Sequence, residues 1–330
     1  MSMKRLAFVG AAAGLALLIA LVAWEGWLDV LHAFARAGWP LLLLVPLRGA
    51  TLALDAWAWR ILLLPLAPAR PPGLAFLLWV ASVREAVNRL LPVAGVGGEV
   101  VGLRLARTRI PDTAGVAASL VVEVLLTIAV LYLFGGAGVV LMAHIAAGMD
   151  EVWTIAASLL LSLPLPLLAW WLLRHGTAFQ RIEHWAARLL GPRAAALDGA
   201  ALDAALARLS GRHGRLLRAL LWQLLGYVAG SVETWYALHL FGHPVDATTA
   251  VAIEALTQAA RHAGFLVPAG LGVQEAATVL FGHLAGVGGD VALSLALAKR
   301  MREVLLGVPA LLSWHWFEAV TVRRYVPRDI

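Results

Sequence analysis

The chain has 330 residues, 61% of them hydrophobic and only 14% charged, with a mean hydropathy of +0.82. That is too apolar for a soluble domain of this length and reads as one polytopic membrane bundle. The absence of cysteine excludes disulfides and thiolate chemistry. The formal net charge of +6 rests on arginines gathered in loops, which argues against a nucleic-acid-binding face.

The first element is the apolar run Leu6 to Trp24, preceded by Lys4 and Arg5. It is long enough to cross a bilayer core of about 30 Å and lacks a small-x-small cleavage site. It therefore reads as a retained signal anchor, followed by a loop that completes an N-terminal section, 1–38. Further full-length spans are predicted at 39–59, 113–134, 152–173, 216–240 and 292–317, giving about six in all. Two other apolar regions, 74–108 and 250–287, are broken by Pro and Gly into pieces too short or too polar to cross comfortably. Within the connecting section 135–215, residues 178–209 alternate apolar residues at helical spacing with Arg and Asp. They predict two amphipathic helices on the cytoplasmic membrane surface, a solvated linker being the alternative. A short tail, 319–330, closes the single integral membrane domain.

The broken regions carry one motif twice. The first copy is P-V-A-G-V-G-G-E, Pro92 to Glu99, and the second is P-A-G-L-G-V-Q-E, Pro268 to Glu275. Upstream of each lies an acid before a Trp, Asp55-Ala-Trp57 and Glu233-Thr-Trp235. Downstream of each lies the same tetrapeptide, starting at Glu123 and at Glu303. Three ordered matches imply two structural halves, 39–134 and 216–318, and interrupted segments at matching places point to a transporter and its binding site.

The loops set the orientation. Arg174, Arg181, Arg188, Arg193, Arg208, Arg212, Arg215 and Arg218 fall in 174–218, and Arg323, Arg324 and Arg328 in the tail, whereas 135–151 and 241–249 carry no Lys or Arg. Both termini are then cytoplasmic in a bacterial-type inner membrane. Region 74–108 is flanked by arginines on both sides, and region 250–287 by neither. The fold class expected is all-α, an inverted-topology repeat with two re-entrant helical hairpins dipping in from opposite faces.

A charge at the centre of a membrane helix costs about 2.5–3.5 kcal/mol, so each one needs a partner or a task. On the first hairpin these are Arg84, Asn88 and Arg89, with Glu85 placed to neutralise Arg89. Glu99 and Glu275 open the two returning helices, where Glu suits the helix dipole. Glu123 has no basic residue within a helical turn and must pair with a distant arginine, Arg84 or Arg89. Glu303 has Lys299 and Arg300 nearby. Glu254, Gln258, Arg261 and His262 form one stripe. The glycines Gly95, Gly97, Gly98, Gly270 and Gly272, with Pro92 and Pro268, supply the helix breaks through positive φ and close backbone approach. Helix N-termini together with Arg84, Arg89 and Arg261 would then face an anionic group. No metal-spaced set and no dinucleotide fingerprint is present, so neither a metal nor a cofactor is expected.

The string from Arg84 to Glu99, the second P-A-G-L-G-V-Q-E, and the downstream A-K-R-M-R-E-V-L-L-G together resemble the flippase-like lysylphosphatidylglycerol-synthase transmembrane-region family. The likeness covers about 39–318, and its texture is most similar to HpnL-type hopanoid-biosynthesis-associated membrane proteins. It makes Arg300 or Arg302 the counterpart of the family's basic residue on the last span. It implies translocation of a membrane lipid, and aminoacyl-lipid synthesis is not implied, since no soluble synthase domain is present. The substrate-binding set is accordingly Arg84, Asn88, Arg89, Glu99, Glu123, Arg261, Glu275, Arg300, Arg302 and Glu303.

A non-enzymatic lipid translocase is the leading expectation, its partner a membrane lipid and its site between the hairpin tips. An integral-membrane lipid phosphatase or transferase, with Ser82 or His262 as its chemical group, is the second reading. A non-catalytic scaffold for lipid-biosynthesis enzymes is the third.

Overall fold

A computed structural model describes residues 27–67, 70–91, 97–146, 160–175 and 198–325, apart from 265, 266, 268 and 269, together with isolated positions between 154 and 184. The expected anchor 6–24 and most of the first amphipathic helix in 178–209 lie outside these residues, as do Pro92, Gly95 and Pro268. The regular elements are helices throughout. They are α1 (Trp27–Ala37), a 3₁₀ turn (Trp39–Leu43), α2 (Leu44–Leu63), α3 (Leu74–Leu90), α4 (Gly97–Ala106), α5 (Thr113–Ile145) and α6 (Pro164–His175). There follow α7 (Gly199–Ser210), α8 (His213–Leu240), α9 (Ala247–Ala263), α10 (Val273–Leu284) and α11 (Gly289–Tyr325).

Each broken region is a pair of helices with the Pro/Gly motif between them, α3 with α4 and α9 with α10. The starts of α5, α7 and α9 are capped by Asp112, Asp198 and Asp246, whose carboxylates accept backbone N–H groups of the first turn. Two elements differ from expectation. Residues 27–37, read as loop, are helical. The span expected to end at 134 continues to Ile145 through Gly135, Gly136 and Gly138. Glycine costs helix stability in isolation, but here Gly138 lets α5 meet α9, since an added Cβ would lie 2.7 Å from the Ala255 Cβ.

Of the spans expected, the 3₁₀ turn with α2 (Trp39–Leu63) and α5 (Thr113–Ile145) are both long and apolar enough to cross a membrane. Helices α8 and α11 have 28 and 37 residues, ample length, but they carry charged residues that lower their hydropathy. Many charges of the bundle are buried and many large apolar side chains face outward. Glu233, Glu254, Lys299, Arg302 and Glu303 are each at most 5% exposed, while Leu161, Leu312 and Trp316 are at least 65% exposed. A bundle that buries so many charges while exposing large leucines and tryptophans has lipid as its solvent.

The packings come in matching pairs. Helix α2 packs on α3 as α8 packs on α9, and α3 on α4 as α9 on α10. Likewise α3 meets α11 as α9 meets α5, and α1 meets α11 as α7 meets α5. Helices α2 and α8 pack on each other and run antiparallel. Trp57 meets Trp222, Gly226 meets Asp55, and the Tyr236 hydroxyl reaches the Pro40 carbonyl at 3.4 Å. The apolar face of α7, expected on the membrane surface, is buried against α5 and α6.

Candidate functional site

Two clusters, one per motif copy, repeat the same chemistry. In the first, Arg84 on α3 pairs with Glu99 in the first turn of α4 and with Glu123 on α5 at 3.0 Å. The Asn88 Oδ1 accepts the Gly98 N–H at 2.8 Å, tying the end of α3 to the start of α4. The Arg84 guanidinium lies 5.0 Å over the Trp59 ring, and the Trp59 indole donates to Ser119 at 3.1 Å. In the second cluster Arg300 on α11 pairs with Glu275 in the first turn of α10 at 2.8 Å and with Glu303 at 2.9 Å. In both clusters one arginine bridges the motif glutamate and the tetrapeptide glutamate. It comes from the hairpin in one and from the last helix in the other.

Arg89 links the clusters. At the end of α3, it donates to Glu303 at 2.6 Å and to Gln274 at 2.9 Å. The neighbouring pairs are Arg48 with Glu85 at 2.6 Å, Arg302 with Glu233, and Lys299 with Glu254 and Thr234. Buried ions paired and hydrogen-bonded in this way offset their desolvation through mutual attraction.

Beside this network lies a cavity of about 510 Å³. Arg84, Asn88, Arg89, Glu99 and Glu123 line it from the first half, and Tyr227, Arg261, His262 and Gly270 from the second. The described ends of both helix breaks therefore border one space. Its apolar wall is the Val124, Ile128 and Leu131 face of α5. A second void of about 50 Å³ shares Arg48, Asp55, Arg89, Tyr227 and Arg261 with it and reaches Glu233, Lys299, Arg302 and Glu303. Among the described residues Arg261 forms no ion pair; its Nε donates to Gln258 at 3.3 Å. Asp55 also borders both spaces without an ion pair among the described residues.

The expected set divides accordingly. Arg84, Asn88, Arg89, Glu99, Glu123 and Arg261 come together on the large cavity, and Arg302 and Glu303 on the smaller void. Glu275 is fully buried on Arg300, and neither lines the large cavity. Of the three arginines expected to await an anion, Arg84 and Arg89 are already held by carboxylates. Glu123 takes Arg84 as its distant partner, as expected. Lys299 turns to Glu254 rather than Glu303, and Glu85 is held mainly by Arg48, its distance to Arg89 being 3.8 Å. Gly270 and Gly272 adopt the expected positive φ, 61° and 76°. Gly97 is the first residue of α4, and Gly98 is helical and serves by close approach alone. Ser82 donates to the Leu78 carbonyl at 2.9 Å, the ordinary bond of a helical serine.

Arg48, Asp55, Glu233 and Lys299 are the site residues that sequence reasoning did not single out for binding. The signal was present: Arg48 and Asp55 are charges inside a predicted span, subject to the same cost that drew attention to Glu123.

Residues 9–310 match the family model of the lysylphosphatidylglycerol synthase transmembrane region. The match identifies a membrane protein with a lipid-related function. No curated protein and no solved structure matches the chain.

Proposed function

We propose that this chain, which belongs to the lysylphosphatidylglycerol synthase transmembrane-region family, is a lipid translocase. The observation that carries the reading is the 510 Å³ charged cavity bordered by both helix breaks, inside a bundle whose outer surface is apolar. A polar headgroup fits such a space while its apolar tail stays in the surrounding lipid. Arg261, whose guanidinium fork meets no carboxylate among the described residues, is the natural ligand for the headgroup anion. The substrate class is an anionic phospholipid or a hopanoid with a polar headgroup, the latter in keeping with the HpnL-type texture of the sequence.

The mechanism follows from the paired packings. We read α1–α5 and α7–α11 as two halves related by a pseudo-two-fold axis in the membrane plane. The helix pairs α3–α4 and α9–α10 are then re-entrant hairpins from opposite faces. Equivalent helices that run antiparallel, as α2 and α8 do, are what such an axis produces. The two halves differ in state. Around Glu99 and Glu123 the space is wide, and around Glu275 and Glu303 it is packed. Exchange of these two states by rocking exposes the headgroup to each leaflet in turn. We read the arginine-rich loops, by their positive charge, as cytoplasmic, which supports both termini on the cytoplasmic side of an inner membrane.

The test is leaflet exchange of a fluorescent phosphatidylglycerol in proteoliposomes, with mass spectrometry of the recovered lipid. Wild type moves the probe unaltered. Arg261→Gln slows movement by about tenfold or more, the worth of one charge-assisted contact, and Arg261→Lys recovers part of it. No exchange above protein-free liposomes sinks the reading. Lipid turnover without exchange, abolished by Ser82→Ala or His262→Ala, replaces it with the enzyme.

A further inference from the structure

The two tetrapeptide glutamates are held differently. Glu303 has two kinds of partner. Arg300 comes from its own helix, and Arg89 reaches it from the opposite half at 2.6 Å. Glu123 has Arg84 from its own half, at 3.0 Å, and no cation from the opposite half among the described residues. The vacant role has an obvious candidate. Arg89 lies in the last turn of α3, the helix that enters the first break, and α3 packs on the helix that carries Glu303. Arg261 lies in the last turn of α9, the helix that enters the second break, and α9 packs on the helix that carries Glu123. The two interfaces are closed by glycine in the same way, Gly307 against Leu90 and Ala86, and Gly138 against Ala255. Of the arginines that line the large cavity, Arg261 is the one with no carboxylate partner among the described residues, and it shares that cavity with Glu123.

We infer that Arg89–Glu303 and Arg261–Glu123 are the two gates of one cycle, the first shut and the second open in this structure. When the halves exchange states, Arg261 moves onto Glu123 and Arg89 releases Glu303. The void that Leu306 lines with Arg89 and Glu303, about 10 Å³ here, widens as the 510 Å³ cavity closes. In the open state Arg261 is available to an anionic headgroup, and Glu123 competes for the same guanidinium on closure. Each gate joins a residue of one half to a residue of the other, so neither can form without moving the halves relative to each other. This inference rests on the translocase reading and its paired halves.

The chain has no cysteine, so single reporters can be placed directly. Thr127→Cys reports on the large cavity, which Thr127 lines, and Leu306→Cys on the small void. Modification by a water-soluble maleimide is followed in the purified, detergent-solubilised full chain. In the parent reporters Thr127→Cys reacts fast and Leu306→Cys slowly. Adding Arg89→Gln weakens the shut gate, so it slows Thr127→Cys and speeds Leu306→Cys, each by about fivefold to tenfold. Adding Arg261→Gln or Glu123→Gln removes the gate of the other state. Thr127→Cys then reacts as fast as in the parent or faster, and Leu306→Cys more slowly still. Arg261→Lys, which keeps the charge, restores the parent rates. Opposite signs for the two pairs are the signature, because general loosening of the fold would speed both reporters in every variant. Shifts of one sign, or none, overturn the gates even if lipid exchange is observed. Opposite shifts without lipid exchange keep the gates and remove the translocase reading instead.

Discussion

Glu303 and Asp55 are both carboxylates inside the bundle, and they carry unequal structural weight. Glu303 holds Arg89 and Arg300 at 2.6 and 2.9 Å, so Glu303→Ala takes from buried Arg89 its closest carboxylate, while Arg300 keeps Glu275. Breaking a buried pair in that way costs about 3–5 kcal/mol. Asp55 has no ion pair to lose among the described residues, and Asp55→Asn is expected to leave the melting temperature of the detergent-solubilised protein nearly unchanged. Thermal unfolding of the two variants checks the contrast, and an Asp55→Asn protein as unstable as Glu303→Ala refutes it. The need of Glu123 for a remote arginine was legible in the sequence, because no base lies within a helical turn of it. The choice of partner for Lys299 was not. Glu303 is four residues away along the helix, and only the folded bundle shows that the Lys299 ammonium meets Thr234 of α8 and Glu254 of α9 instead. Gly98 illustrates the same limit. Sequence offered both positive φ and close approach for it, and only the structure shows that close approach alone applies: an added Cβ would sit 2.4 Å from the Arg84 carbonyl oxygen and 2.6 Å from the Asn88 amide.

At the scale of elements, the helix starts were readable and one helix end was not. Asp112 and Asp246 cap helices where apolar spans were expected to begin, and Pro-Gly motifs separate the two hairpin helices where sequence placed them. The end of α5 escaped because its glycines read as a turn, and the partner surface on α9 that tolerates them is about 115 residues further on. Asp246 supplies a pH-dependent term outside the spans. Its carboxylate accepts from the side chain and backbone of Thr249 and from the Thr248 hydroxyl, which hold it below the ordinary carboxylate range. A carboxyl depressed in the folded state stabilises above its unfolded value and loses that contribution as pH falls through the folded one. Asp246→Ala should therefore lower the melting temperature most at neutral pH, with the gap to wild type shrinking in acid. A gap that widens in acid would show that the cap is not the cause.

For the whole molecule, the sequence motifs pointed to two halves, 39–134 and 216–318, and the paired packings support the reading of two halves. The matching contacts of α1 on α11 and of α7 on α5 bring the preceding amphipathic helices into the pairing. Such helices carry no motif, and their place is set by packing alone. The Arg89–Glu303 pair joins residues separated by 214 positions in the chain. This has a consequence for how the protein is made. When α3 leaves the ribosome and enters the bilayer, Glu303, the carboxylate that holds Arg89 most tightly, has not been synthesised, and a poorly matched guanidinium in the membrane costs about 2.5–3.5 kcal/mol. The first half is thus an unfinished membrane protein that must be retained, by the insertion machinery or by a chaperone, until α11 arrives. Cutting the coding sequence between α6 and α7 and expressing either piece alone should yield rapid degradation. Expressing both pieces together should yield a stable, co-purifying complex, and Glu303→Ala in the second piece should shorten the lifetime of the first.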